Sequence, residues 1–441
     1  MSKVTNFKGN NMQVSLKLFI ASALLIIGGC IQAFQPVKVE IKNVDGNFQL
    51  YRGGKPYHIK GAGIEVSDFE AFVKHGGNSI RNWTTTNEKE STLSILDKAH
   101  ELGLTVSLCL PMSKEHWGFN YSDPVAVKKQ LDFMRGEVLK YKDHPALLTW
   151  IIGNELNFDY TNSDVYNAVN DVAKMIKEID PYHPTTTTVA GLEKRVLKDI
   201  QERAPALDFV SMQVYGQLAL LPEFIEQTDY DGPYMVTEWG TVGFWEMPKT
   251  SWGAPIEMTS TQKAQNTLRG YNEKIATQSS RVIGNHVFLW GQKQERTPTW
   301  FGMFTDSGME TESVDVMHFI WNNKWPKNRS PRLNQMLLDN KNAHQNVKLE
   351  ASNDYVAIVD SSDPDGDTLS YRWEIKPESD SKKVGGDFEK DIANIDSTVN
   401  RLNKSEISFT TPKRPGAYRL FVYVYDGQGH AAHANIPFYV E

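Results

Sequence analysis

Residues 146–155 read Ala-Leu-Leu-Thr-Trp-Ile-Ile-Gly-Asn-Glu, an almost continuous apolar run that ends in an amide and a carboxylic acid. A strand that is buried on both faces has this composition, and such strands belong to parallel sheets. The segment that follows places Val165, Ala168, Val172 and Met175 at helical spacing. The run therefore predicts one strand–helix unit of a parallel α/β fold.

The same alternation of apolar runs and amphipathic stretches extends from about residue 48 to residue 325. It predicts strands at residues 61–64, 79–83, 104–110, 146–154, 184–189, 208–215, 234–238 and 282–290. Eight strand–helix units in roughly 250 residues match the size of a TIM barrel. A doubly wound open sheet is the alternative, but no Gly-rich phosphate fingerprint follows the first strand. The predicted fold class is therefore α/β, with a (β/α)8 TIM barrel over residues 48–341.

The composition changes after about residue 342, where short alternating runs replace the helical patterns. Turn clusters such as residues 363–367 separate these runs. The pattern predicts a small all-β sandwich over residues 342–441, which resembles the Ig-like or PKD-type modules of extracellular bacterial enzymes. The acidic turn residues could hold Ca²⁺, but their spacing is not that of an EF-hand loop, and tight-turn chemistry is favoured.

The N-terminal segment has the pattern of a targeting signal. Residues 18–27 form an apolar stretch that follows several lysines and is too short to span a membrane. The motif Ile-Gly-Gly-Cys at residues 27–30 resembles a bacterial lipobox, which implies removal of residues 1–29 and a lipid anchor on Cys30. An ordinary signal peptide with a chance cysteine is the alternative. Residues 30–47 are then an N-terminal linker and a first strand.

We accordingly expect a secreted lipoprotein of the bacterial outer membrane or cell surface, with the periplasm as the alternative. Its only expected membrane contact is the lipid anchor, and we expect a monomer. The net charge of −7 offers no basic surface for nucleic acid. Two cysteines in 441 residues exclude a disulfide scaffold. The histidines show no metal-ligand spacing, so no metal and no cofactor are expected.

Two glutamates stand where predicted strands end. Glu155 follows the fourth strand, and Glu238 ends the seventh. A carboxylate directly after an apolar run is costly unless it is solvated, paired or functional. In TIM barrels, side chains at the carboxyl ends of different strands converge on the active site. The sequence therefore predicts that these two carboxylates meet at the mouth of the barrel.

A pair of carboxylic acids is what glycoside hydrolysis needs. One acid with a raised pKa protonates the leaving oxygen, while the other attacks the anomeric carbon. A retaining enzyme holds the two groups roughly 5–5.5 Å apart, whereas an inverting enzyme leaves space for a water. Glu155 and Glu238 are the candidate catalytic pair.

The motifs around the two glutamates resemble the paired signatures of clan A glycoside hydrolases, which are retaining (β/α)8 enzymes. These motifs are Gly153-Asn154-Glu155 and Thr237-Glu238-Trp239-Gly240. The resemblance implies that Glu155 is the acid/base and Glu238 the nucleophile. It also implies a hydrogen bond from Asn154 to the sugar 2-hydroxyl, support of the nucleophile by Arg81 and Tyr215, and a subsite floor made by Trp290.

Aromatic residues in the predicted loops are candidates for stacking on sugar rings. We include three of them in the predicted substrate-binding set: Trp83, Trp117 and Trp239. Each of these side chains, like Arg81, Tyr215 and Trp290, has an ordinary structural interpretation as a core or ion-pair residue.

A signal segment, a clan A barrel and a trailing Ig-like module together resemble glycoside hydrolase family 158, which acts on β-1,3-glucans such as laminarin. The family 2 catalytic barrel is the next nearest, although family 2 enzymes carry β-domains before the barrel. The resemblance implies an endo-acting β-1,3-glucanase with a polysaccharide or oligosaccharide substrate. A β-mannanase or β-glucanosyltransferase with the same carboxylates is an alternative. A non-catalytic surface glycan-binding lipoprotein is another.

Overall fold

The computed structural model describes residues 35–382, 385–395, 399 and 403–441. The predicted signal peptide and the predicted lipid anchor Cys30 lie outside the described residues. Among the helices in the described ranges, none is long and apolar enough to cross a membrane.

A closed parallel barrel forms the larger part of the described chain, as predicted. Its strands are β4 (Gly61–Gly63), β5 (Ser79–Arg81), β6 (Thr105–Leu110), β7 (Leu147–Ile152), β8 (Thr185–Thr186), β9 (Thr188–Ala190), β10 (Val210–Gln213), β11 (Tyr234–Gly240) and β12 (Val282–Phe288). The last strand, β12, pairs in parallel with the first, β4. The predicted fifth strand is divided at Thr187: β8 pairs with β7, and β9 pairs with β10. Eight barrel positions are therefore filled within the described residues.

Helices connect the barrel strands and cover the outside of the sheet. They are α1 (Glu70–Lys74), α2 (Thr92–Glu101), α3 (Pro124–Tyr141), α4 (Asp164–Ile179), α5 (Lys194–Arg203), α6 (Leu221–Glu226), α7 (Ser260–Gly270) and α8 (Glu312–Asn322). The sequence specifies several of their ends. Asp123 caps α3, with proline at the first helical position, and Thr259 forms a capping box at α7. Gly103, just after the end of α2, has a φ of 72°, the left-handed conformation that glycine commonly adopts after a helix.

A short antiparallel sheet closes the barrel at the amino ends of its strands. It consists of β1 (Val39–Val44), β2 (Asn47–Arg52) and β3 (Lys55–Pro56). Leu50 packs in one buried cluster with Leu148, Phe209 and Met235, which come from the barrel strands or the residues just before them. This end of the barrel is a packed, buried cluster, whereas the active site of a TIM barrel lies at the opposite end.

The C-terminal part is a β-sandwich, as predicted, but it begins earlier than residue 342. Its strands are β13 (Arg332–Leu338), β14 (Val347–Leu349), β15 (Asp354–Ser362), β16 (Ser370–Pro377), β17 (Glu406–Thr410), β18 (Gly416–Tyr425) and β19 (Ala431–Val440). Strand β13 pairs with β15 and so belongs to the sandwich. One sheet has the order β13-β15-β17 and the other β14-β19-β18-β16. Trp373 is fully buried in the core that the two sheets share.

Buried polar contacts join the sandwich to the barrel. Glu257 of the barrel accepts from Asn435 of the sandwich at 2.7 Å, and its carboxylate is paired with Lys263 at 2.5 Å. Burial raises the pKa of Glu257, but the charge of Lys263, the contribution of His433 and the hydrogen bonds from Lys263 and Thr297 together outweigh it and hold the pKa at about 2. Arg419 of the sandwich donates to the carbonyl oxygen of Pro255 at 2.9 Å. These fixed pairs hold the two parts in one arrangement, in agreement with the single compact unit over residues 35–441.

The acidic turn at residues 363–367 has the geometry of a tight turn. Oδ1 of Asp363 accepts the backbone N–H groups of Asp365 and Asp367 at 2.8 and 3.1 Å. This is the turn chemistry that the sequence favoured for these residues.

Candidate active site

A large cleft opens at the carboxyl ends of the barrel strands. Its volume is about 1210 Å³, and both Glu155 and Glu238 line it. Pockets for small molecules typically measure about 300–1,000 Å³. The cleft is therefore large enough for several sugar units.

Glu238 lies near the end of strand β11 and is only 5% exposed. Its carboxylate is surrounded by donors. Oε1 accepts from Arg81, from Trp83 Nε1 at 2.8 Å and from Gln213 Nε2 at 3.1 Å, while Oε2 accepts from the Tyr215 hydroxyl at 2.7 Å. Hydrogen bonds of this kind fix the orientation of a carboxyl group. The predicted contacts of Arg81 and Tyr215 with Glu238 are both present.

Arg81 links the predicted nucleophile to the strand that carries Glu155. It ends strand β5, is fully buried, and donates to both Glu238 and Asn154 Oδ1. Gln213 Nε2 donates to the same Asn154 oxygen at 2.9 Å. Because Oδ1 is held by these donors, the Asn154 amide nitrogen is the group that it can offer to a ligand. Two shared donors thus hold the segments of both glutamates close together.

Gln213 was not among the predicted site residues. Side chains alternate along a strand, so Gln213 shares a face with Tyr215, two residues further on. That alternation, applied to the predicted sixth strand, would have identified it.

Glu155 has an environment that favours its protonated form. It has a positive φ of 51°, its N–H donates to Thr188 Oγ1 at 3.0 Å, and its side chain is 16% exposed. Burial, followed by the negative charge of Glu238, raises the pKa of Glu155 to about 7, while Lys114 opposes the shift. Lys114 Nζ lies 3.9 Å from Glu155 Oε2. An acid with this pKa can both give and take a proton near neutral pH.

Two of the predicted stacking residues, Trp83 and Trp117, line the cleft. Trp117 is 64% exposed, and Lys114 Nζ lies 5.1 Å from the centre of its ring. Lys114, like Gln213, was not predicted, because its place beside Glu155 depends on how the loop after the third barrel strand folds back.

Two predicted aromatic contacts are wrong. Trp239 is fully buried, donates to Asn285 at 3.1 Å and stacks on Tyr271, outside the cleft. Successive side chains on a strand face opposite ways, so Trp239 must point away from the side that Glu238 occupies.

Trp290 is also placed outside the cleft. It lies at 4% exposure between helices α1 and α8, with its ring 5.4 Å from that of Phe72 and 5.5 Å from that of Trp321. Phe288, at the end of strand β12, lines the cleft instead. The predicted subsite floor at Trp290 is therefore corrected to a core position.

Comparison with known proteins finds matches in glycoside hydrolases. Residues 64–280 match the family model described as the TIM barrel domain of glycosyl hydrolases family 2. A segment of 88 residues is 32% identical to mannan endo-1,4-beta-mannosidase F of Aspergillus clavatus, and it covers 20% of this chain and 20% of that protein.

Solved structures share the fold at low sequence identity. Beta-glucuronidase 2 of Bacteroides uniformis, covalently bound to cyclophellitol-6-carboxylate aziridine, is 12% identical with a TM-score of 0.52, over 91% of this chain and 48% of that one. A second structure of beta-glucuronidase from the same organism has a TM-score of 0.50 at 12% identity, over 90% of this chain and 47% of that one. This chain thus spans about half the length of these structures. The matches identify a TIM barrel of the glycoside hydrolase type.

Proposed function

We propose that this protein is a retaining glycoside hydrolase in which Glu238 is the nucleophile and Glu155 the acid/base. One observation carries the proposal. A glutamate whose pKa is raised to about 7 shares one cleft with a second glutamate whose carboxyl group accepts hydrogen bonds from four donors. Two carboxyl groups whose environments separate their protonation states are the arrangement that double displacement requires.

In the first step, Glu238 attacks the anomeric carbon and forms a glycosyl ester. The bond from that carbon to the glycosidic oxygen breaks, and protonated Glu155 gives its proton to this oxygen, so that the leaving sugar departs as an alcohol. Oε1 of Glu238 is held by Arg81, Trp83 and Gln213, whereas Oε2 has Tyr215 as its donor. We assign the attack to Oε2, because the more heavily bonded oxygen is the poorer nucleophile. Asn154 is placed to donate to the sugar 2-hydroxyl.

In the second step, the loss of charge on Glu238 changes the state of Glu155. Once Glu238 is an ester, it no longer raises the pKa of Glu155, so Glu155 becomes a stronger acid and stays ionised. The carboxylate then takes a proton from the water that attacks the ester. The same two side chains thus exchange roles within one turnover.

For the substrate, we propose a β-linked polysaccharide, most specifically a β-1,3-glucan of the laminarin type cleaved internally. The volume of the cleft and the exposed Trp117 support binding of several sugar units. The β-1,3 linkage and membership of family 158 come from the sequence resemblance, whereas the matching family model is that of family 2. β-Mannan is the second candidate, favoured by the 88-residue match to a mannan endo-mannosidase. For location, the motif at Cys30 supports a lipid-anchored, secreted protein.

The test is a hydrolysis assay on laminarin, mannan, xylan and mixed-linkage glucan, with the product anomer read by NMR at early times. We expect cleavage of laminarin with retention of the anomeric configuration. Glu238→Ala should abolish turnover, whereas Glu226→Ala, at the exposed end of helix α6, should not. Circular dichroism checks that both variants fold. A product with inverted anomeric configuration would contradict the proposal, and so would near-normal activity of Glu238→Ala.

A further inference from the structure

The indole ring of Trp117 stands on the side of the cleft that carries Glu155. Lys114 Nζ lies 3.9 Å from Glu155 Oε2 and 5.1 Å from the centre of the Trp117 ring, so the same ammonium group is close to both side chains. Trp117 lines the cleft, and 64% of its surface is exposed. A ligand in the cleft therefore meets this ring in the neighbourhood of the predicted acid/base.

The turn that carries Trp117 is fixed to the segment that follows Glu155. Trp117 ends a short 3-10 helix that begins at Glu115. The Glu115 carboxylate accepts the backbone N–H groups of Thr161 and Asn162 at 2.8 and 3.1 Å, and it also accepts the Thr161 hydroxyl at 2.6 Å. These contacts tie the loop after the third barrel strand to the loop after the fourth. They give Trp117 a defined position on the Glu155 side of the barrel mouth.

A different group of aromatic side chains stands on the side of Glu238. The Tyr215 hydroxyl donates to Glu238, and the Tyr215 ring meets the ring of Phe288 edge-on with 5.8 Å between their centres. The ring of Trp245 meets Tyr215 in the same way at 5.6 Å. All three rings line the cleft. The cleft thus has one aromatic wall beside the nucleophile, whereas Trp117 stands beside the acid.

The first step of the proposed reaction places different sugars on these two sides. The sugar whose anomeric carbon is attacked lies over the nucleophile, and the sugar on the protonated oxygen departs from the side of the acid. Aromatic side chains that line a binding cleft offer flat apolar surfaces, on which the apolar face of a sugar ring stacks. Trp117 is therefore positioned for the leaving sugar and not for the sugar that is held as the ester.

We propose that Trp117 forms the subsite of the leaving sugar, directly beyond the bond that is cleaved, and that this subsite also binds sugar acceptors. The inference rests on the proposed glycosidase function and extends it to transfer. A hydroxyl oxygen of the acceptor attacks the anomeric carbon of the Glu238 ester, Glu155 takes the hydroxyl proton, and Glu238 departs as a carboxylate. The products are a glycan with a new glycosidic bond and the free enzyme, so transfer competes with hydrolysis.

The test isolates this subsite by filling the other one covalently. A 2-deoxy-2-fluoro glycoside forms the Glu238 ester, whose breakdown is slow, and the excess reagent is removed. Laminaribiose, or mannobiose if mannan is the polymer cleaved, is added at increasing concentration, and the return of activity is followed. In Trp117→Ala, we expect the half-maximal disaccharide concentration to rise roughly 2- to 12-fold, the range of one aromatic stacking contact, with reactivation by water unchanged.

Two control variants accompany this measurement. Trp117→Phe keeps an aromatic face at the same position and should require a disaccharide concentration close to that of the wild type. Trp325→Ala removes a tryptophan that is 37% exposed and stacks on Phe319 of helix α8. This variant should leave the half-maximal concentration unchanged, and circular dichroism checks that all three variants fold.

Equal half-maximal concentrations in Trp117→Ala and the wild type would overturn the inference. Reactivation of the wild type that does not respond to the disaccharide would overturn it as well, because no acceptor subsite then exists. An equal slowing of the reaction with water in Trp117→Ala would place the ring beside the ester instead. If no ester forms, the proposed function itself fails, and the inference fails with it.

Discussion

Replacing Lys114 with methionine should move the alkaline limit of activity to higher pH. Lys114 Nζ lies 3.9 Å from Glu155 Oε2, and the two side chains are 12% and 16% exposed. The positive charge favours the ionised form of Glu155 and so lowers its pKa, against the effects of burial and of Glu238. Protonated Glu155 is the form that starts the reaction. Removing the charge keeps Glu155 protonated, and the enzyme active, to higher pH.

The size of the shift follows from the distance. Two unit charges about 4 Å apart interact by about 1 kcal/mol in water and by about 4 kcal/mol at an effective dielectric constant of 20. Both side chains touch solvent, so an intermediate value of about 1–3 kcal/mol applies. At about 1.4 kcal/mol for each pH unit, the alkaline limb should move up by about one to two pH units.

The assay is kcat/KM as a function of pH, because this quantity reports the ionisation of the free enzyme. The wild type should lose activity with a midpoint near pH 7, the value to which the pKa of Glu155 is raised. Lys128→Met is the control, since Lys128 pairs with Asp132 on the outer surface of helix α3 and should leave the profile unchanged. In Lys114→Met, the alkaline limb of the kcat/KM profile could stay in place or move to lower pH. Either result would refute the effect of Lys114 on Glu155 and the assignment of Glu155 as the acid/base.

Three further substitutions test other parts of the site. Glu155→Gln should lower kcat on the polysaccharide by about 10²–10⁴-fold but far less on an aryl glycoside, whose leaving group needs no proton; equal losses on both substrates would contradict its role as the acid. Tyr215→Phe removes a hydrogen bond of 2.7 Å to the Glu238 carboxylate and should cost about 1.5–3 kcal/mol of transition-state stabilisation, seen as a roughly 10- to 150-fold lower kcat; an unchanged kcat would show that the bond is not used. Trp290→Ala should lower the free energy of unfolding in urea by about 3–5 kcal/mol without raising KM, because Trp290 lies in the core. A raised KM at unchanged stability would instead indicate that Trp290 contacts the substrate.

The barrel could be predicted because its signal is local. Apolar runs such as residues 146–154 and the helical spacing after them repeat along the chain, and a parallel sheet with helices is the fold that buries both. The position of the two glutamates followed from the same rule, since strand ends converge in a TIM barrel. The division of the fifth strand at Thr187 and the start of the sandwich at Arg332 depend on pairing between distant segments, which the local pattern does not contain.

The directions of the aromatic side chains were the weaker part of the prediction. Trp239 follows Glu238 directly and must face the other way, so strict alternation would have excluded it. Trp290 lies two residues beyond the end of strand β12 at Phe288, where that alternation no longer applies. It packs against Phe72 of helix α1, far away in the sequence, and against Trp321 of helix α8, which follows it.

The contacts that Lys114 and Glu389 make are likewise consequences of tertiary structure. Lys114 reaches Glu155 across the loop that follows the third barrel strand. Glu389 reaches Arg296 across the boundary between barrel and sandwich. Neither pair has a spacing in the sequence that a motif could reveal, and both were found from the packing alone.

Trapping the covalent intermediate would identify the nucleophile directly. A 2-deoxy-2-fluoro glycoside with a good leaving group, built on the sugar that the enzyme cleaves, slows the breakdown of a glycosyl ester so that the ester accumulates. Digestion and mass spectrometry then locate the attached sugar. We expect one adduct, on the side chain of Glu238. A sugar attached to another residue, in an enzyme that turns over, would show that Glu238 is not the nucleophile.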